Sequence, residues 1–182
     1  MYQIPYKRCN YNIELKDYPK LNNYSVLINN IDDYEKIKNK KIESIYIENP
    51  LYEEVNDERK VLRIPRVNFK LKDRKENLLI GDLGSLYKYK NVITDFGFNV
   101  ANSYTVAFLH SIGVEKVTLS YELTDNQIKN IIDGYHKRYN KHPNLELIIS
   151  SYPEAMITKF DLLNYHNVSS GYLKDKFNNK FK

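Results

Sequence analysis

Cysteine is nearly missing from this chain: Cys9 is the only one among 182 residues. No internal disulfide can form, and no multi-cysteine zinc or iron-sulfur site can be built by this chain alone. Long apolar runs are missing too, since nothing approaches the ~20 consecutive apolar residues of a membrane helix. The opening MYQIPYKRCN has neither a continuous apolar segment nor a small-residue cleavage site, so a secretory signal is not read and a cytoplasmic location is expected. The histidines, His110, His136, His142 and His166, form no i, i+4 pair and no His-Glu-x-x-His motif. Gly-x-Ser-x-Gly is absent, and Gly81, Gly84 and Gly97 compose neither a dinucleotide fingerprint nor a phosphate loop. No metal site and no cofactor is therefore expected from this chain.

What is present is an ordinary globular composition, 42% hydrophobic and 28% charged, with a net charge of +5. That charge permits nucleic-acid contact without requiring it. The lysine-rich stretch over 36 to 41 continues an amphipathic pattern and is read as a solvated helix face. The chain is long enough for one domain with a real core, yet short for a complete eight-unit (β/α) barrel of about 250 residues.

Apolar periodicity predicts seven strands, at 24 to 28, 44 to 47, 61 to 64, 77 to 80, 92 to 94, 115 to 119 and 145 to 149, with a further short one over 155 to 158. Helical patterns alternate with the later strands. Asp32 or Asp33 is expected to cap a helix through Ile37, and Asp82 a brief helix to Tyr89. A helix from Ser103 is expected to bury Tyr104, Ala107 and Phe108 and to stop at Gly113. Thr124 and Gln127 form a capping box before a helix whose stripe is Ile128, Ile131, Ile132, Tyr135 and Tyr139. Strands alternating with helices imply a parallel sheet, so the expected fold is α/β, a parallel, TIM-barrel-like (β/α) barrel in partial or reduced form. Residues 1 to 22 are expected to be an extended lead-in and 23 to 182 a single barrel-like domain, lacking its last strand.

In such a fold the strand-to-helix loops share one face, and that face holds the chemistry. The loops around Asp95, Asn99, Asn102, Ser120 and Glu122 gather polar groups from separate units, with Asn49 and Asp82 nearby. Asp95 and Glu122 are the candidate catalytic carboxylates, and Asn99, Asn102 and Ser120 the candidate substrate-binding groups. Asn102 and Asp82 also stand where helix N-caps belong, and Glu146 and Glu154 are further carboxylates available for acid-base pairing.

The strings DFGFNVANS, VTLSYEL and LELIISSYPEAMITKF are similar to those of the collagenase-like peptidase family (peptidase family U-thirty-two), in the carboxy-terminal part of its long members. IESIYIENPLYEEV resembles the family's tyrosine-bearing strand, VLRIPRV its Arg-Ile-Pro-Arg type strand, and GYLKDKFNNKF its closing hairpin. The resemblance runs from about Tyr24 to the last residue. It implies a barrel and a peptidase acting on peptides, or a relative of enzymes that hydroxylate RNA bases. The family's Met-Ile-Thr-x-Tyr-Cys string is matched by Met156 to Phe160, but Asp161 stands where the cluster-associated cysteine belongs, so the family's iron-sulfur cluster is not expected. Three readings follow: a reduced peptidase or fragment of a larger enzyme, an accessory RNA-binding module, and a structural domain that completes a barrel with another chain or domain.

Overall fold

The structure is a computed structural model that describes residues 13–20, 22–68 and 71–152, together with 165, 173–174, 176–178 and 180–181. Cys9, Glu154, the strand expected over 155 to 158, Asp161 and His166 lie outside the described residues. The chain divides into two compact units, 1–149 and 150–182. In the second, β8 (Leu173–Lys174) and β9 (Lys180–Phe181) pair antiparallel, with Asn178 in a left-handed turn between them. That is the closing hairpin read from GYLKDKFNNKF.

The first unit carries seven strands: β1 (Ser25–Ile28), β2 (Ser44–Ile47), β3 (Lys60–Arg63), β4 (Leu78–Ile80), β5 (Ile93–Thr94), β6 (Lys116–Thr118) and β7 (Leu145–Glu146). All pair parallel, and their order in the sheet is their order in the chain. Helices α1 (Ile31–Ile37), α2 (Leu51–Glu54), α3 (Leu83–Lys88), α4 (Ser103–Ser111) and α5 (Asp125–Tyr139) fill the connections. Each of the seven strands overlaps the span periodicity gave it, and β5, β6 and β7 are parallel neighbours as expected, but β7 ends at Glu146 where a strand to 149 was expected.

A flat sheet would hold β2 and β7 about 24 Å apart, at ~4.8 Å per strand step. Instead the Tyr46 hydroxyl on β2 donates to both carboxylate oxygens of Glu146 on β7, at 2.8 and 2.9 Å. The sheet is therefore curled into a half-barrel. Its two faces carry two separate cores: Tyr46, Val61, Leu79 and Ile93 pack in the lumen, while Ile45, Ile47, Leu62, Ile80, Val117 and Leu119 pack outward with the helices. A complete eight-stranded barrel is not what these strands form.

The helix caps decide where each strand exit turns. Asp82, Asn102 and Thr124 accept hydrogen bonds from the amides of Ser85, Thr105 and Gln127, and the expected Thr124–Gln127 capping box is reciprocal. For α1 the expectation needs correction: Asn30 is the cap, accepting from the Asp33 amide, because the helix begins two residues earlier than an aspartate cap would allow. Helix α4 also differs. Its buried residues are Ser103, Val106, Ala107, Leu109 and His110, while Tyr104 and Phe108 are 64% and 55% exposed. The small residues let the helix approach the sheet, and the large ring of Tyr104 instead lies 4.1 Å from the Arg138 guanidinium carbon. In α5, Ile131 and Tyr135 are buried and Ile128 and Tyr139 pack beside them, whereas Ile132 sits at the stripe's margin, 38% exposed.

His110 fastens α4 to the start of β6 and β7. Its Nδ1 lies 2.8 Å from the Val114 carbonyl and its Nε2 accepts from the Asn144 amide, a pairing that fixes the neutral tautomer with the proton on Nδ1. Burial holds its pKa below the ordinary histidine value.

Candidate functional site

Side chains alternate across a strand, and in-register partners share a face. The lumen is therefore lined by Ser44, Tyr46 and Glu48 from β2, Val61 and Arg63 from β3, Leu79 from β4, Ile93 and Asp95 from β5, Lys116, Thr118 and Ser120 from β6, and Glu146 from β7. One wall, β3 to β5, is apolar at mid-depth. The opposite wall is polar there: Glu146 accepts from Tyr46 and, at 3.2 Å, from Thr118 Oγ1. Burial first, and then the Glu146 carboxylate, raise the Tyr46 hydroxyl well above the ordinary tyrosine pKa, so it stays a donor.

At the C-terminal mouth a clamp ties three strand exits together. Arg63 donates through Nε to Asp95 Oδ2 and through Nη1 to Glu48 Oε1, both at 2.8 Å. Asp95 spends its other oxygen on the Phe96 amide, closing the first turn of the 3-10 helix Phe96–Phe98. The Arg63 side chain is only 11% exposed and that of Asp95 13%, whereas Glu48 is 42% exposed. Glu48 Oε2 makes no hydrogen bond among the described residues, which leaves it facing the mouth with an acceptor to spare.

The loops around the clamp are packed backbone to backbone. A Cβ on Gly97 would stand 2.7 Å from the Gly81 carbonyl oxygen and 3.3 Å from Arg66 Nε, so only glycine fits beneath the Arg66 side chain. Arg66 is exposed and has no carboxylate partner among the described residues. Phe96 and Tyr121 meet edge to face at 5.6 Å, which joins the exit loops of β5 and β6.

Of the residues singled out from sequence, Asp95, Asn99, Asn102, Ser120 and Glu122 stand at the exits of β5 and β6 in unequal situations, while Asp82 caps α3 and Glu146 lies in the lumen on β7. Asp95 is buried and belongs to the clamp. Ser120 is buried and accepts from the Glu122 amide at 3.4 Å. Glu122 is exposed on the rim. Asn99 is exposed in a left-handed conformation, φ 47°, ending the 3-10 helix, and Asn102 is spent on capping α4. Sequence reasoning passed over Glu48, Arg63, Tyr46 and Lys116. The signal that points to them is polar residues at every second place of strands that are buried on both faces: Ser44-Tyr46-Glu48, Val61-Arg63 and Lys116-Thr118-Ser120.

Among the described residues, no three His, Cys, Asp or Glu side chains converge to hold a metal ion, and no helix is long and apolar enough to cross a membrane. The site and fold define the class: an α/β protein with a seven-stranded parallel half-barrel and an ionisable lumen. Comparison of the chain with protein-family models, with curated proteins and with solved structures gives no match.

Proposed function

We propose that the C-terminal mouth is an acid-base site for amide hydrolysis in peptides, the activity implied by the collagenase-like resemblance. The observation that carries this reading is the clamp itself: Arg63 fixes Glu48 at the mouth with one carboxylate oxygen uncommitted. In this reading Glu48 takes the proton of an attacking water as its oxygen bonds to the substrate carbonyl carbon. Glu48 then returns that proton to the departing amine as the C–N bond breaks. The exposed guanidinium of Arg66 is placed to meet the oxyanion or a peptide carboxylate. Asp95 is a positioning residue that acts through Arg63, and Glu122 stands on the rim as a second carboxylate to probe.

Gelatin and casein cleavage by the purified chain tests the reading. Wild-type protein should release new amino termini, and Glu48→Gln should lose about 100-fold or more of that rate, the usual span of a general base. Turnover retained in Glu48→Gln would overturn the assignment. Salt-sensitive RNA binding without peptide turnover would favour the accessory RNA module instead, because phosphate contacts weaken steeply with salt.

A second reading has its own observation. Among the described residues, β1 and β7 each have one sheet neighbour, and exposed apolar side chains stand on both edges, Leu27 on β1 and Leu147 just beyond β7. A strand from a further domain or chain would close the barrel there, covering edge groups that otherwise remain open to pairing. Under this reading the isolated chain is inactive, and adding the completing partner restores cleavage.

A further inference from the structure

The outer helices are not alike in charge. Helix α1 shows Asp32, Glu35 and Lys36 to solvent, and α5 shows Asp125, Lys129, Asp133 and Lys137. Helix α4 carries no Asp, Glu, Lys or Arg, and its one histidine, His110, is buried. On α3 the single charge, Lys88, lies 3.0 Å from Asp73 and donates to the Leu71 carbonyl.

What α3 and α4 expose instead is largely apolar. Leu83 and Tyr87 on α3 are 71% and 90% exposed, and Tyr104, Phe108 and Ile112 follow one another at every fourth place along α4 and its C-cap, the last 36% exposed. Leu86 of α3 and Val106 and Ala107 of α4 belong to one core, and β4, β5 and β6 are consecutive in the sheet, so the two helices lie side by side on its outer surface. Scattered apolar residues on a surface are ordinary, whereas a continuous uncharged face marks an interaction site. With aromatic side chains offering about 150–250 Å² each, these exposures place roughly 600 Å² of such surface on one copy.

We propose that this face joins two copies of the chain about a two-fold axis. The area fits, because a symmetric pair would bury about 1,200 Å², the lower bound of specific interfaces. The charge fits as well: each chain carries +5, and copies meeting through α3 and α4 set no like charges opposite one another. The stripe is also self-complementary. With two α4 helices antiparallel and the axis at Phe108, that ring meets its own copy and Tyr104 of one chain faces Ile112 of the other. The hydroxyls of Tyr87, Tyr104 and Ser111 both donate and accept, so each can pair with the same group on the second copy. Arg138 already holds one side of the Tyr104 ring, which lowers the cost of ordering it on association. A membrane surface fits less well, since helices that lie in lipid headgroups are rich in Lys and Arg and α4 has none. The face is on the outside of the sheet, away from the mouth, so hydrolysis and pairing can fail separately.

Sedimentation velocity of the whole chain tests this. The mass should rise from 21.7 kDa toward twice that value between about 1 and 100 μM. Phe108→Glu and Tyr87→Glu, on separate helices and more than half exposed, should each keep the wild-type circular dichroism yet raise the dissociation constant by about 30-fold or more. Leu27→Glu, on the open β1 edge, should leave the pair intact. A wild-type chain that stays at 21.7 kDa up to about 100 μM overturns the proposal, whether or not it binds phosphatidylcholine vesicles. A pair that survives both glutamates, or that is lost in Leu27→Glu, overturns it equally.

Discussion

At the C-terminal end of the half-barrel, helices α3, α4 and α5 begin, with their amide ends capped by Asp82, Asn102 and Thr124 and two arginines, Arg63 and Arg66, at the mouth. At the N-terminal end the helices finish, and basic side chains such as Arg59 and Lys60 are drawn onto their carbonyls. One backbone topology thus makes two unlike environments. The mouth sets Arg63 between two carboxylates, whereas the far end sets Arg59 and Lys60 against helix-end carbonyls. The lumen between them is bridged by side chains, since Lys116 reaches Glu43 on one side and approaches Glu146, which holds Tyr46, on the other.

The sharpest way to break this contrast is to remove the buried cation of the mouth. Arg63→Ala leaves Asp95, 9% exposed, as a buried carboxylate without its ion pair, and should cost about 3–5 kcal/mol in a urea melt. Adding Asp95→Asn should recover part of that loss. At the far end, Arg59→Ala should cost less, roughly 1–2 kcal/mol, through the lost ion pair and the two lost carbonyl contacts. Its partner Asp57 is held down to about 2 by the Arg59 side chain, against an ordinary 3.8. The unfolded chain therefore takes up this proton at higher pH than the folded one. The Asp57 contribution is full above about pH 4 and is lost as pH falls toward 2, and Arg59→Ala should flatten the acid limb of stability against pH.

Asn99→Ala gives a smaller effect. There φ is 47°, and a left-handed alanine costs about 1 kcal/mol. Asn99→Gly should be near neutral by the same thermal melt. The smallest effect is His110, faced by the rings of Tyr18 and Tyr135. Its folded pKa is lowered, so its contribution is full above about pH 6.5 and declines as pH falls below it, where only the unfolded chain is protonated. His110→Gln should remove that slope between pH 7 and 5.

Strands were legible because a buried parallel strand announces itself as a short apolar run, as in Ser44 to Ile47 and Leu78 to Ile80. Caps were legible where one side chain meets its own helix, as at Asp82, Asn102 and Thr124. The stripe of α4 was not, because large aromatics at Tyr104 and Phe108 outweigh small residues at Ser103 and Ala107 in any hydrophobicity pattern. The clamp was half legible. Asp95 lies in a loop that invites attention, but Arg63 and Glu48 are 32 and 15 positions away from their partners in the chain, and they meet only once β2, β3, β4 and β5 pair in register.

Peptide turnover by Glu48→Gln tests the central claim most directly, measured beside wild type under conditions where both proteins melt at the same temperature. The account predicts that gelatin cleavage falls by about 100-fold while the thermal midpoint holds, since Glu48 is partly exposed and keeps its hydrogen-bond geometry as glutamine. Cleavage at the wild-type rate would contradict it and would leave the C-terminal mouth without an assigned base.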